Sequence, residues 1–177
     1  MNISLSEEQQ LLTKRDVATC QLETAIILFF EQRDPISIHT LAEASLEVLR
    51  GVAKGRGIDL SSISFRDLCL IKPEHQKTVW QILNNARNFL KHAEKDFDTT
   101  LDFKPIVNAF SLFQGCAVLQ SLGYGTLKSI IFLIWFTKKY PECFLDVETS
   151  LSSLCSYEVN DFTAWHQLLN LTDNKMI

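Results

Sequence analysis

Arg87-Asn88-Phe89-Leu90-Lys91-His92 puts an arginine, an asparagine, a lysine and a histidine within two turns of what reads as one helix. Those residue types suit chemistry on a phosphate. A histidine titrates near neutral pH and can move a proton to or from a ribose 2′-hydroxyl or a leaving 5′-oxygen. An arginine stays charged and holds a phosphate in a planar fork, stabilising the charge that builds in the transition state. An asparagine can orient either group. The candidate catalytic set is therefore Arg87, Asn88 and His92, with Lys91 and Lys95 as candidate substrate contacts, and the reaction would be metal-independent cleavage of RNA by attack of the 2′-hydroxyl. The same letters also fit the solvated face of a bundle helix.

A helix opened by Pro73 and running to about Glu94 would carry the set. At 100° per residue with Ile82 at zero, Val79, Leu83, Ala86, Phe89, Leu90 and Ala93 cluster around a direction of about 40° and form the expected core stripe. Asn88 and His92 stack at about 240–280°, and Arg87 and Lys91 at about 140–180°. The basic pair and the Asn–His pair thus flank the stripe on opposite sides. They converge only if the helix end distorts, the arginine wraps round, or two copies meet across a two-fold axis.

The rest of the chain supplies helices and little else. A first helix is expected from about Ser6 to Gln32, with Ser6 and Gln9 as a capping box and Leu11, Ala18, Leu22, Ala25, Ile26 and Phe29 at helical spacing. Asp34 caps a second, Pro35 sits in its first turn, and Gly55 or Gly57 stops it. Its apolar stripe is Ile38, Leu41, Ala42, Ser45, Leu49 and Val52. "SFRDLCLI" is short and ambiguous, and "KDFDTTLDFKP" is a loop. A fourth helix ends at the glycines of "LGYG". A fifth, "TLKSIIFLIWFTKKYP", is apolar nearly all round and reads as the central core helix rather than a dimer face. Two shorter helices finish the chain, the last capped by Asn160 and packing Phe162, Trp165, Leu168 and Leu169. The fold class is all-α, a single helical bundle of five to seven helices.

Composition narrows the function classes. A chain of 177 residues with 46% apolar residues fits one domain. The opening "MNISLSEEQQ" is polar and acidic, unlike a signal peptide, and the longest wholly apolar run, Ile130 to Phe136, is far short of the ~20 residues that span a bilayer. Five scattered cysteines without a CxxC pair argue against a zinc ribbon or disulfide framework and fit a reducing cytoplasm. Most of them read as small core residues. Charge is uneven: −5 from Met1 to Leu49, +5 from Arg50 to Lys95, and −5 from Pro141 to Ile177. The basic block ends in the motif, as a polyanion site would need, although clustering along the chain can average out on folding.

Bland readings fit the other candidates better. His39 with Glu43 is an i,i+4 polar pair at the edge of the second helix's stripe, His75 is solvated, and His166 beside Trp165 is a boundary residue. A metal would need several of His39, His92, Glu23, Glu43 and Glu94 to meet, and no HExxH or ExxH pair supports that. "GYG" lacks the lysine and spacing of a phosphate loop and more simply stops a helix. No cofactor is expected.

Arg87-Asn88-x-x-x-His92 on a long helix of an all-α chain resembles the R-N-x-x-x-H signature of the HEPN superfamily. The match covers six residues and the fold class. The resemblance implies a helical bundle that dimerises to bring two motifs together, with Arg87 and His92 as the catalytic pair and Asn88 as the polar residue after the arginine. The residues beyond the motif would form a C-terminal helical extension. Such proteins include ribonucleases acting as toxins, in phage defence or in RNA processing, and others that bind nucleotides or proteins without catalysis. The implied partners are a second copy of the chain, RNA, and an antitoxin or other protein, with no membrane. "DPISIHTLAEA" and "NFLKHAEKD" also resemble stretches of bacterial proteins of no assigned activity.

Overall fold

The computed structural model describes residues 10–61, 73–91, 98–141 and 156–173, which form six α-helices and no strand. They are α1 (Lys14–Phe30), α2 (Pro35–Gly55), α3 (Pro73–Lys91), α4 (Ile106–Ser121), α5 (Leu127–Lys139) and α6 (Phe162–Asp173). The all-α bundle expected from periodicity is what forms. The Ser6 cap, "SFRDLCLI", Ala93 and one of the two short C-terminal helices lie outside the described residues.

The first helix begins later than its spacing suggested. Thr13 is extended (φ −84°, ψ 160°), its hydroxyl accepts from the Asp16 amide, and the Asp16 carboxylate accepts from the Thr13 amide. This reciprocal pair satisfies two amide donors and fixes the start at Lys14, leaving Leu11 98% exposed rather than in the core. Gln32, in the left-handed region (φ 54°), turns the chain straight into α2. There Asp34 caps by accepting from the Ser37 amide at 2.8 Å, Pro35 occupies the first turn, and Gly57 (φ 69°) follows the last. The short turn makes α1 and α2 antiparallel neighbours, tied by the buried Ser45 hydroxyl donating to the Ala18 carbonyl at 2.7 Å.

The central helix is α4, with α5 packed beside it. Every residue from Val107 to Cys116 is buried, so α4 is enclosed on all sides, whereas α5 leaves Leu127 and Ile130 exposed. Gly123 (φ 77°) ends α4, and a Thr126–Ser129 capping box starts α5 antiparallel to it. An aromatic cluster closes one end of the bundle. Phe30 stacks on Trp165 (6.2 Å, 16°), Phe29 meets Trp135 edge-on at 4.9 Å, and Phe113 stacks on Phe136 at 4.4 Å. The Trp135 indole donates to the Val159 carbonyl and the Trp165 indole to the Glu158 carbonyl, each at 3.0 Å, latching the approach to α6. The cap of α6 is Asp161, which accepts from the Ala164 amide at 2.9 Å, not Asn160. Asn160 instead accepts from Lys139 at 2.8 Å. Asp161 stands immediately before the first helical residue, where a side-chain oxygen reaches the third helical amide.

Two helical glycines test this packing. A Cβ on Gly51 would meet nothing within 4 Å, so Gly51→Ala should stabilise by up to about 1 kcal/mol through helix propensity alone. A Cβ on Gly115 would fall 2.8 Å from Cδ1 of the buried Leu22, and overpacking costs typically about 1–3 kcal/mol. Gly115→Ala should therefore lose stability in urea titrations where Gly51→Ala gains it. Equal gains from both would mean that α1 and α4 are less closely packed.

Candidate functional site

Apolar content pulls α4 inside, and with it three polar side chains, Asn108, Ser111 and Gln114, that need partners. Asn108 donates from its side-chain nitrogen to the Pro35 carbonyl at 2.8 Å. The Ser111 hydroxyl donates to the Glu43 carboxylate at 2.8 Å, and Arg50 donates to the Gln114 side-chain oxygen at 2.8 Å. All three partners come from α2. His39, Glu43 and Arg50 fall within about 40° of one another on the α2 wheel, about 90° from the apolar stripe, on the flank that faces α4.

The same flank forms one wall of a groove of about 170 Å³ between α2 and α3. Its α2 wall carries His39, Thr40, Glu43 and Glu47, and its α3 wall carries Arg87 and Leu90. His39 is buried, its ring edge-on to Phe103 at a centroid distance of 5.7 Å. His39 and Glu43 are therefore inside the bundle, not at the edge of the stripe as their spacing suggested. Burial pulls the Arg50 guanidinium below its usual value. Glu43 opposes that, the Arg87 charge adds to it, and Glu47 opposes it in turn. Two arginines and two carboxylates thus neutralise one another around the groove.

Arg87 is half-buried in this groove and Asn88 is exposed. Lys91 is the last residue of α3, and His92 and Lys95 lie outside the described residues. The expected core stripe of α3 holds in part. Ala86 is buried and Ile82, Leu83 and Phe89 are half-buried, but Leu90 is 37% exposed and lines the groove mouth. The described residues of the helix pack through a narrower face than their spacing implies, and Arg87 lines the groove together with Glu43 and Glu47. Trp80, about 20° from Arg87 on the wheel and two turns earlier, is 42% exposed.

The remaining candidates resolve structurally. Among the described residues no three of His, Cys, Asp and Glu meet in a way that could hold a metal ion. His166 is a boundary residue whose Nε2 lies 3.2 Å from the Glu31 carboxylate. Cys116 is fully buried, and loss of solvation, with a contribution from Glu23, pushes its thiol well above the usual range. Cys20 is exposed. No described helix is long and apolar enough to cross a membrane. Comparison of the chain with protein-family models, curated proteins and solved structures found no match.

The buried polar contacts give a direct test of how tightly the groove wall is fixed. Ser111 and Glu43 should be energetically coupled, because removing either strands the other where water is excluded. A double-mutant cycle with Ser111→Ala and Glu43→Ala, read by urea unfolding, should give a coupling of about 0.5–3 kcal/mol. Additive losses would mean that solvent reaches the pair.

Proposed function

We propose that this protein is an RNA-binding helical domain of the HEPN type that cleaves RNA without a metal ion. The observation that carries the reading is the Arg87-Asn88-x-x-x-His92 spacing in the sequence, with Arg87 of α3 at an open groove and Asn88 exposed. In this reading Arg87 holds the scissile phosphate, Asn88 orients it, and His92 transfers the proton, while Lys91 and Lys95 contact the flanking backbone. On an ideal continuation of the helix the Arg87–Lys91 and Asn88–His92 pairs would fall on opposite flanks, so the reading calls for two protomers to bring them together. The exposed Trp80 and Leu90 on α3 support a second copy docking along that helix.

A second reading, a non-catalytic protein-interaction module, has its own support in Glu43 and Glu47. These carboxylates share the groove with Arg87 and would oppose an incoming phosphate.

Incubating the protein with total RNA in EDTA separates the two. Cleavage should proceed and leave 2′,3′-cyclic phosphate ends. His92→Ala should lower the rate by roughly 100- to 10,000-fold, the loss typical of a proton-transfer group, and Arg87→Ala by roughly 100- to 1,000-fold, that of a group stabilising transition-state charge. Both variants should keep the helical circular-dichroism spectrum. RNA left intact by the unsubstituted protein would favour the interaction module, and activity that EDTA stops or that survives His92→Ala would exclude this mechanism.

A further inference from the structure

The end of the bundle away from the aromatic cluster carries a convergence of like charges. The guanidinium of Arg15, in the first turn of α1, lies 5.1 Å from the centroid of the Tyr124 ring. That of Arg56, which caps the C-terminus of α2, lies 5.0 Å from the same centroid. The two cations come from different helices and are exposed, and the half-buried ring in the α4–α5 turn holds both by the attraction of its π face. Lys14 and Lys54, one or two residues away on the same two helices, are also exposed. Asp16 pairs with Arg15 at 2.9 Å. Among the described residues Arg56, Lys14 and Lys54 form no ion pair.

Arg56, Lys14 and Lys54, which no described acid neutralises by an ion pair, offer counter-charge to a polyanion ligand. Planar guanidinium groups fixed on an aromatic ring lose less freedom on binding, and they can both fork a phosphate and stack beneath an unpaired base. We propose that the Arg15–Tyr124–Arg56 cluster is a contact surface for single-stranded RNA, Lys14 and Lys54 following its backbone. The proposal rests on the RNA-binding reading above and extends it to a second surface. Arg56 lies about 20 Å along α2 from Glu43 in the groove wall, so the strand would run over one side of the bundle.

Fluorescence anisotropy of a labelled single-stranded RNA against the full chain tests this, with Arg15→Gln/Arg56→Gln as the variant. Both residues are exposed, so the melting curve should be close to that of the parent. The variant should bind roughly tenfold or more weakly, and its plot of log affinity against log salt should flatten by about 0.7 for each phosphate that is no longer neutralised. Arg15→Lys/Arg56→Lys should keep the salt slope and lose part of the affinity. If the parent binds RNA and the glutamine variant matches it in affinity and slope, this surface is excluded while the RNA-binding reading stands. If the parent binds no RNA, both fall, as they do if it binds only anionic lipid vesicles.

Discussion

Enclosing α4 on every side is the constraint on which the rest of the structure depends. A buried helix can satisfy its own backbone, but Asn108, Ser111 and Gln114 bring donors and acceptors that water no longer reaches. Their partners are the Pro35 carbonyl, Glu43 and Arg50, in ascending order along both helices. Apolar packing alone would tolerate sliding or rotation of α2 over α4. These three bonds do not, because any shift would strand a buried polar group. They set the register in which Ile38, Ala42, Leu46 and Leu49 fill the other side of α2 against α1.

That register also explains why a groove lies where α3 joins the bundle. The α2 flank committed to α4 continues outward through His39, Thr40 and Glu47, which face α3. Across from these polar side chains α3 presents Arg87 and, at the groove mouth, Leu90. The result is a joint lined by Glu43 and Glu47 on one side and Arg87 on the other. Its other side is a helix whose described side chains bury little besides Ala86.

The two ends of the bundle differ for a related reason. At the end where α1 finishes, aromatic rings from α1, α4, α5 and α6 pack edge-to-face and two indole N–H groups are spent on the carbonyls of Glu158 and Val159. At the other end Tyr124 is the aromatic residue held by two arginines, with Lys14 and Lys54 exposed near them in sequence.

Much of the fold was legible in the sequence because capping and periodicity are local. Asp34, Pro35 and Gly57 bound α2 as their types require, and the "LGYG" glycines end α4. Local rules also produced the errors. Helical spacing carried the expected start of α1 back to about Ser6, whereas Thr13 starts it at Lys14 through the reciprocal bond with Asp16. Asn160 competed with Asp161, which lies one residue nearer the helix. The Arg87–His92 spacing was readable as a motif, and so, in principle, was the polar stripe of His39, Glu43 and Arg50. Its meaning was not, since a polar stripe facing solvent and one facing a buried helix are written identically. Helix type and length follow from residues a few positions apart, which the sequence determines by itself. Which helix is central, which flank of α2 is inside and what Arg87 faces depend on contacts between residues 40 to 70 positions apart, such as Ser111 with Glu43 and Gln114 with Arg50. Only the folded chain decides those, because the requirement to satisfy a buried polar group exists only once the tertiary packing has removed water from it.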